Sequence, residues 1–304
     1  MMWTIGLALA AASPDPAAVA QLRALQEQDQ RVATIAFRLA TSNASICKKR
    51  RGWSGFVIHE PGQYAPAVRQ AAEAAFGFEG RPTVLAVVAN SPAARAGLKP
   101  DERITAINGK PVTASSSSKA SYDGITAIKD LLAAETDKGA IQLETVAGVR
   151  IISAQQGCYS DVEIVPGRKL NADADGEMAQ ISSAIIGEAQ DDDELAFVIA
   201  HEIAHNILEH PQQLAIGRRS ASRVRATEIE ADRMAVSLMK RAGFDPTAAA
   251  RFWAHFGAKT SYGIFSDGTH LRTKKRVALL KGAAASLENE PSSAQSDGVT
   301  KHGH

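Results

Sequence analysis

Residues 201–205 read His-Glu-Ile-Ala-His, two imidazoles four positions apart with a carboxylate beside the first. On a helix, residues four apart share a face, so His201 and His205 can bind one zinc ion together. Glu202 falls about 100° round the helix from His201. That keeps it off the metal yet close enough to take a proton from an attacking water. A catalytic zinc needs a third protein ligand and an open position. The segment 226–235 offers one, because Glu228 and, four residues on, Asp232 share a helical face. Glu228 is the third-ligand candidate. Asp232 is the acceptor for the outer N–H of a zinc-binding histidine, His201 first, and would fix its tautomer. Glu230 points elsewhere on that helix, and the choice of ligand between 228 and 230 stays open at this point.

The elements that must hold these groups are legible around them. Asp191, Asp192, Asp193 and Glu194 supply an N-cap and first-turn carboxylates, with Glu194 three residues after Asp191. Leu195, Val198, Ile199, Ile203 and Ile207 give the apolar periodicity of a buried helix, and Pro211 is expected to stop it just past His210. Two histidines in such a helix are costly without a partner, and a metal is a natural one. His210, five residues beyond His205, is rotated off the ligand face and reads as a helix C-terminal cation. The metzincin pattern needs Gly and then His at successive three-residue steps after His205, where Leu208 and Pro211 stand.

The His-Glu-Ile-Ala-His run followed by Glu228-x-x-Ala-Asp232 resembles the gluzincin zinc metallopeptidases of the HtpX, BepA and CAAX prenyl protease type. The resemblance covers residues 156–282. Upstream, Asn171-Ala172, then Gly176 and the β-like run 178–186, look like that family's N-A segment and the edge strand beside its cleft. Downstream, His270 and Arg276 resemble its H-P-x-x-x-x-R element, with Leu271 in place of proline. The resemblance implies that His270 and Arg276 lie near the site and help to stabilise the transition state. It also implies a role in turnover of misfolded or unassembled envelope proteins.

The 304 residues leave room for two modest domains, and 45% hydrophobic content supports real cores. A formal charge of +1 provides no basic field for nucleic acid. Two basic runs, Lys48–Arg51 and Arg218–Arg225, read as solvated loops, with contact to anionic lipid headgroups as the sharper alternative. No segment reaches the roughly 18 uninterrupted apolar residues of a membrane span, so a peptidase free in solution or peripherally attached to a membrane is expected. Residues 1–13 contain a short apolar stretch with small residues, a possible signal segment, which points to a periplasmic or otherwise exported protein. Only Cys47 and Cys158 occur. They flank a central segment, and a bridge between them would tie its entry to its exit. Two unpaired buried thiols are the other possibility.

Residues 14–51 begin with a long amphipathic helix expected to pack on the peptidase core. Residues 52–155 differ in kind. Ser91-Pro-Ala-Ala-Arg-Ala-Gly-Leu98, then Arg103-Ile-Thr-Ala-Ile-Asn-Gly-Lys-Pro-Val112, resemble a bacterial PDZ domain, with an Asn108-Gly109 hairpin turn. Such a domain adds an extended peptide to a strand edge and captures a terminal carboxylate. Gly77–Gly80 is the candidate carboxylate loop, and Tyr122–Ala134 the helix bordering the groove. A structural insert shading the cleft is the alternative. Residues 156–285 make the peptidase domain and 286–304 a polar, disordered tail.

The fold class expected is α+β: a mainly helical zincin-type domain with a small edge-strand sheet, plus an inserted PDZ-like β-barrel or sandwich. The function expected is a zinc endopeptidase, one Zn2+ per chain, acting on extended or misfolded polypeptides. Glu202 is the base, with substrate added to the edge strand near residues 178–186. The rival is a peptide-binding or chaperone-like module with a structural zinc site, against which an intact Glu202 speaks.

Overall fold

A computed structural model describes residues 13–218, 220–259 and 272–289. The N-terminal α1 (Pro16–Ser42) starts at Asp15, whose side chain caps it, with Pro16 in its first turn. This helix serves both halves of the molecule. Its C-terminal part buries Val32, Ile35, Ala36 and Leu39 in the peptidase core. Its N-terminal part sets Val19 and Leu22 against Phe76 and Phe78 of the insert.

The chain enters the insert through β1 (Arg50–Trp53) and continues as β2 (Phe56–His59), α2 (Arg69–Phe76), β3 (Thr83–Val87), α3 (Pro92–Arg95), β4 (Ile104–Ile107), β5 (Lys110–Pro111), α4 (Asp123–Thr136), β6 (Ile141–Thr145) and β7 (Gly148–Ile152). It leaves through β8 (Gln155–Cys158), which pairs antiparallel with β1, Arg50 opposite Cys158 and Trp53 opposite Gln155. One sheet is β2-β3 and the other β5-β4-β6-β7. Both stay open, so of the barrel or sandwich expected from the sequence no closed barrel forms; α4 buries Ile125 and Ile128 against them. The β4–β5 turn has Asn108 and Gly109 at φ of 48° and 71°, the geometry that this pair of residues favours in a two-residue hairpin. The loop Gly77–Gly80 turns Phe78 inward to full burial, because Gly77 and Gly80 accept the positive φ its tight path requires, while Gly77 lines a cavity of about 460 Å³.

Cys47 and Cys158 form a disulfide, Cα–Cα 5.4 Å, across a separation of 111 residues. It stands beside Trp53 and Ile207, at the junction of insert and peptidase half.

The peptidase half follows with β9 (Asp161–Val165), β10 (Ala172–Ala174), β11 (Met178–Ser182), α5 (Ser183–Ile186), α6 (Asp192–Ile207), α7 (His210–Ala215), α8 (Ala221–Arg241), α9 (Ala248–Lys259) and α10 (Thr273–Glu288). Helix α10 runs three residues into the segment expected to be disordered, and 290–304 lie outside the described residues. The sheet order is β10-β11-β9. This corrects the expected edge: residues 178–182 are the middle strand, occupied on both sides, and the edges are β9 and β10, of which β10 lines the cavity described below. A peptide can add only to an outer strand. Among the described residues no helix is long and apolar enough to cross a membrane. The apolar segment at Met1–Ala12 lies outside the described residues.

Candidate metal centre

Helix α6 is positioned at its start by reciprocal caps: Asp191 Oδ1 accepts from Glu194 N at 2.8 Å, and Glu194 Oε2 accepts from Gln190 N at 2.9 Å. From there Leu195, Ala196, Phe197, Ile199, Ala200, Ile203 and Ala204 are buried between α1, α8 and α9. The helix is therefore apolar nearly all round, and its histidines are exceptions in a dry setting. Its C-terminal end is tied to the edge hairpin. Asn206 Oδ1 accepts from the N–H of Gly176 at 2.7 Å, in the turn between β10 and β11. Gly176 has φ of 109°, a conformation strained for any residue with a Cβ, which would also have to displace the amide end of Gln212.

Helix α8 crosses α6 with Ala231 and Ala235 at the contact, both fully buried. It brings Glu228 to the two histidines. His201 Nε2 and His205 Nε2 stand 3.2 Å apart. Glu228 Oε2 is 3.4 Å from the former, and Oε1 3.4 Å from the latter. These three residues form a possible His/Glu metal site. Ligands held at about 2.0–2.2 Å by one tetrahedral ion stand about 3.3–3.5 Å apart. The donor set and its spacing therefore fit zinc.

The surrounding groups hold that arrangement. Asp232 Oδ1 lies 3.1 Å from His201 Nδ1. Arg276, on α10, donates to both oxygens of Asp232, Nε to Oδ2 at 2.8 Å and Nη2 to Oδ1 at 2.6 Å. Its guanidinium lies over the Trp253 ring at 3.9 Å, and Nη2 is 3.8 Å from Glu228. Burial would push the His201 ring down, but hydrogen bonds to Asp232 and Glu228 outweigh it and lift it to about 10. Burial and the neighbouring His201 push His205 down to about 3. Of the two rings, His201 is thus the one that takes a positive charge, while His205 stays neutral. Burial, opposed by His201 and assisted by Glu228, raises Glu202 to about 7.

The groups open onto one cavity of about 450 Å³. Its polar wall is Asp173, His201, Glu202, His205, His210, Glu228 and Arg276; its apolar wall includes Ile185, Val198, Phe252 and Phe256. Ala172, Asp173 and Ala174 of the edge strand line it as well.

The structure thus brings together Glu202, His201, His205, Glu228, Asp232 and Arg276, while His270 lies outside the described residues. His210 is not an exposed helix-end cation. Helix α6 stops at Ile207, Glu209 turns left-handed, and Pro211 opens α7 rather than closing α6. His210 is therefore folded back and fully buried, its Nδ1 3.0 Å from His205 Nδ1. Glu230, expected to face solvent, is half exposed but reaches His210 Nε2 at 3.1 Å. A non-glycine residue in the left-handed region carries no clear sequence signal, and helical spacing alone misplaces His210. Trp253 and Asp173 were likewise missed; only their places in the fold reveal them.

Comparison with family models gives three matches: PDZ domain over residues 83–138, Peptidase family M48 over 142–224 and Peptidase U49 over 193–289. No curated protein matches the chain. The family matches support an M48-like zinc peptidase with a PDZ domain. The class defined by fold and site is thus a metallopeptidase.

Proposed function

We propose that the chain is a zinc endopeptidase whose substrates are extended segments of unfolded or misfolded polypeptides. The observation that carries this is the meeting of the His201 and His205 Nε2 atoms, 3.2 Å apart, with a Glu228 carboxyl that sets one oxygen 3.4 Å from each, on one wall of a cavity that also receives Glu202 and an edge strand. Zinc bound there supplies a Lewis acid that polarises the scissile carbonyl and makes water acidic enough to attack near neutral pH.

The chain's own residues do the rest. A substrate strand added to β10 lies along the cavity wall and presents one peptide bond to the His/Glu cluster. The aromatic wall takes an apolar side chain of that segment. Glu202, buried and with its carboxyl raised to about 7, accepts the proton of the attacking water and delivers it to the leaving amine nitrogen. Asp232 holds His201 through Nδ1, and Arg276 keeps Asp232 ionised. His270 and Arg276 are assigned to stabilising the charge that develops on the carbonyl oxygen. The disulfide supports folding in an oxidising compartment, consistent with export, and envelope protein turnover is the setting we assign.

Glu202→Gln tests the reading. It should leave one zinc per chain while casein hydrolysis falls by about 10²–10⁴-fold. Undiminished hydrolysis, or a wild-type chain that binds no zinc, would sink it.

A further inference from the structure

His210 and Glu230 have no part in the chemistry above, yet they continue it outward. Glu209, at φ 57° and ψ 34°, reverses the chain after α6, so the His210 ring returns to the helix it has just left. The two rings meet at 4.9 Å between centroids and 74° between planes. His210 Nδ1 is 3.0 Å from His205 Nδ1, and its Nε2 is 3.1 Å from Glu230 Oε2.

We propose that His210 is a positioning residue that fixes the tautomer and orientation of His205, with Glu230 fixing His210 in turn. The inference rests on the reading of His205 as a metal ligand. A histidine that gives its Nε2 lone pair to an ion carries its proton on Nδ1. On His205 that proton points at His210, whose Nδ1 must then be the bare, accepting nitrogen. The His210 proton therefore sits on Nε2, where the Glu230 carboxylate accepts it. Only one tautomer of each ring satisfies both contacts, and every donor finds an acceptor.

The two histidines are thus held by different devices. His201 is backed by a carboxylate that Arg276 clamps. His205 is backed by a buried neutral ring, itself steered by a half-exposed carboxylate. Helix α8 supplies both outer carboxylates, Asp232 and Glu230, as well as Glu228 between the histidines. Its placement against α6 therefore sets all three contacts at once.

Zinc affinity of the full chain, measured by competition with a chromophoric chelator, tests this without reference to activity. His210→Asn places an amide oxygen where Nδ1 stands. His210→Gln reaches the Nε2 position instead, and His210→Phe offers neither. Gln and Phe should weaken zinc binding about 10–100-fold, the usual cost of losing such an outer partner, while Asn retains most of it. The melting point of the metal-free protein is followed in parallel and should be alike for Asn and Gln. Gln and Phe variants that bind zinc as tightly as wild type overturn the proposal. So does an Asn variant that loses as much as Gln, since the ring would then serve packing alone. A wild-type chain that takes up no zinc removes the metal reading beneath, which is a separate failure.

Discussion

The peptidase half and the PDZ half carry equally readable motifs, but they differ in what their elements leave open. In the peptidase half, α6, α8 and α9 share one buried core, and at the His/Glu cluster a cavity remains beside an unoccupied strand edge. In the PDZ half, the seam between β2 and α4, where a peptide would be expected to enter, is filled by Ile58, Ile125 and Ile128, 2–6% exposed. The far side of β3 is covered as well: Gln26 donates to Leu85 O and Gln30 accepts from Val87 N, both from α1. Buried polar groups converging on one point keep the first region from collapsing; apolar side chains close this seam of the second, whose cavity of about 460 Å³ lies elsewhere, against Gly77, Asp101, Arg103 and Arg150. A fold motif by itself therefore does not settle a binding function, and the site has to be argued for itself.

The largest effect tests whether the two halves stand independently. The disulfide closes a loop across a separation of 111 residues. Removing such a constraint costs about 4–5 kcal/mol in the chain-entropy model. Cys47→Ser with Cys158→Ser should thus lower the melting point by roughly 10 °C. The transition should also split, because the insert has its own core of Ile, Leu and Val residues and the staple sits at the junction. A single transition, shifted by less than about 2 °C, would show the halves to be one cooperative unit through α1 instead.

That junction also shows what the sequence could and could not convey. The His-Glu-Ile-Ala-His helix, its caps, the Glu228–Asp232 face and the Asn108-Gly109 turn are local patterns, set by periodicity and backbone preference within a few residues. The status of β10 as edge strand, the return of His210, the stacking of Trp253 on Arg276 and the closure over Ile58 depend on contacts between distant segments. Helix α1 illustrates the boundary. Its amphipathic period was readable, whereas its double duty, Val32 and Leu39 in one core and Leu22 in another cluster, was not.

A smaller effect sharpens the contrast on the catalytic side. Glu202 works as a base only when ionised. Burial raises its carboxyl to about 7 in the metal-free chain, and a dication nearby favours the carboxylate and lowers that value. The acid limb of kcat/KM should therefore have its midpoint at or below pH 7, with activity rising as pH rises and falling about tenfold per unit below the midpoint. Rates measured from pH 5 to 9 on an unstructured peptide decide this. A profile that rises as the solution is made more acidic would remove Glu202 from the role.

The smallest effect concerns the closed seam. A peptide adding to β2 must part Ile58 from Ile125 and Ile128, exposing apolar surface. Full burial of such a side chain is worth about 1.5–3 kcal/mol, so even partial exposure lowers apparent affinity by about tenfold or more. Peptides with an apolar C-terminal residue should accordingly bind the Glu202→Gln protein weakly, in the range of about 0.1 mM or above. Ile125→Ala, which thins the plug without touching β2, should tighten binding severalfold if β2 and α4 form a usable groove. Isothermal titration with the same peptides, their carboxylate free or amidated, reads this directly. Low-micromolar binding by the unaltered seam would mean that it opens at little cost, and the contrast between the open metal site and the filled seam would fail. Equal weakness before and after Ile125→Ala would instead place the domain's role in bracing: α4 already contacts the peptidase sheet through Lys129 and Glu163, and a filled, rigid insert transmits that contact better than an empty groove would.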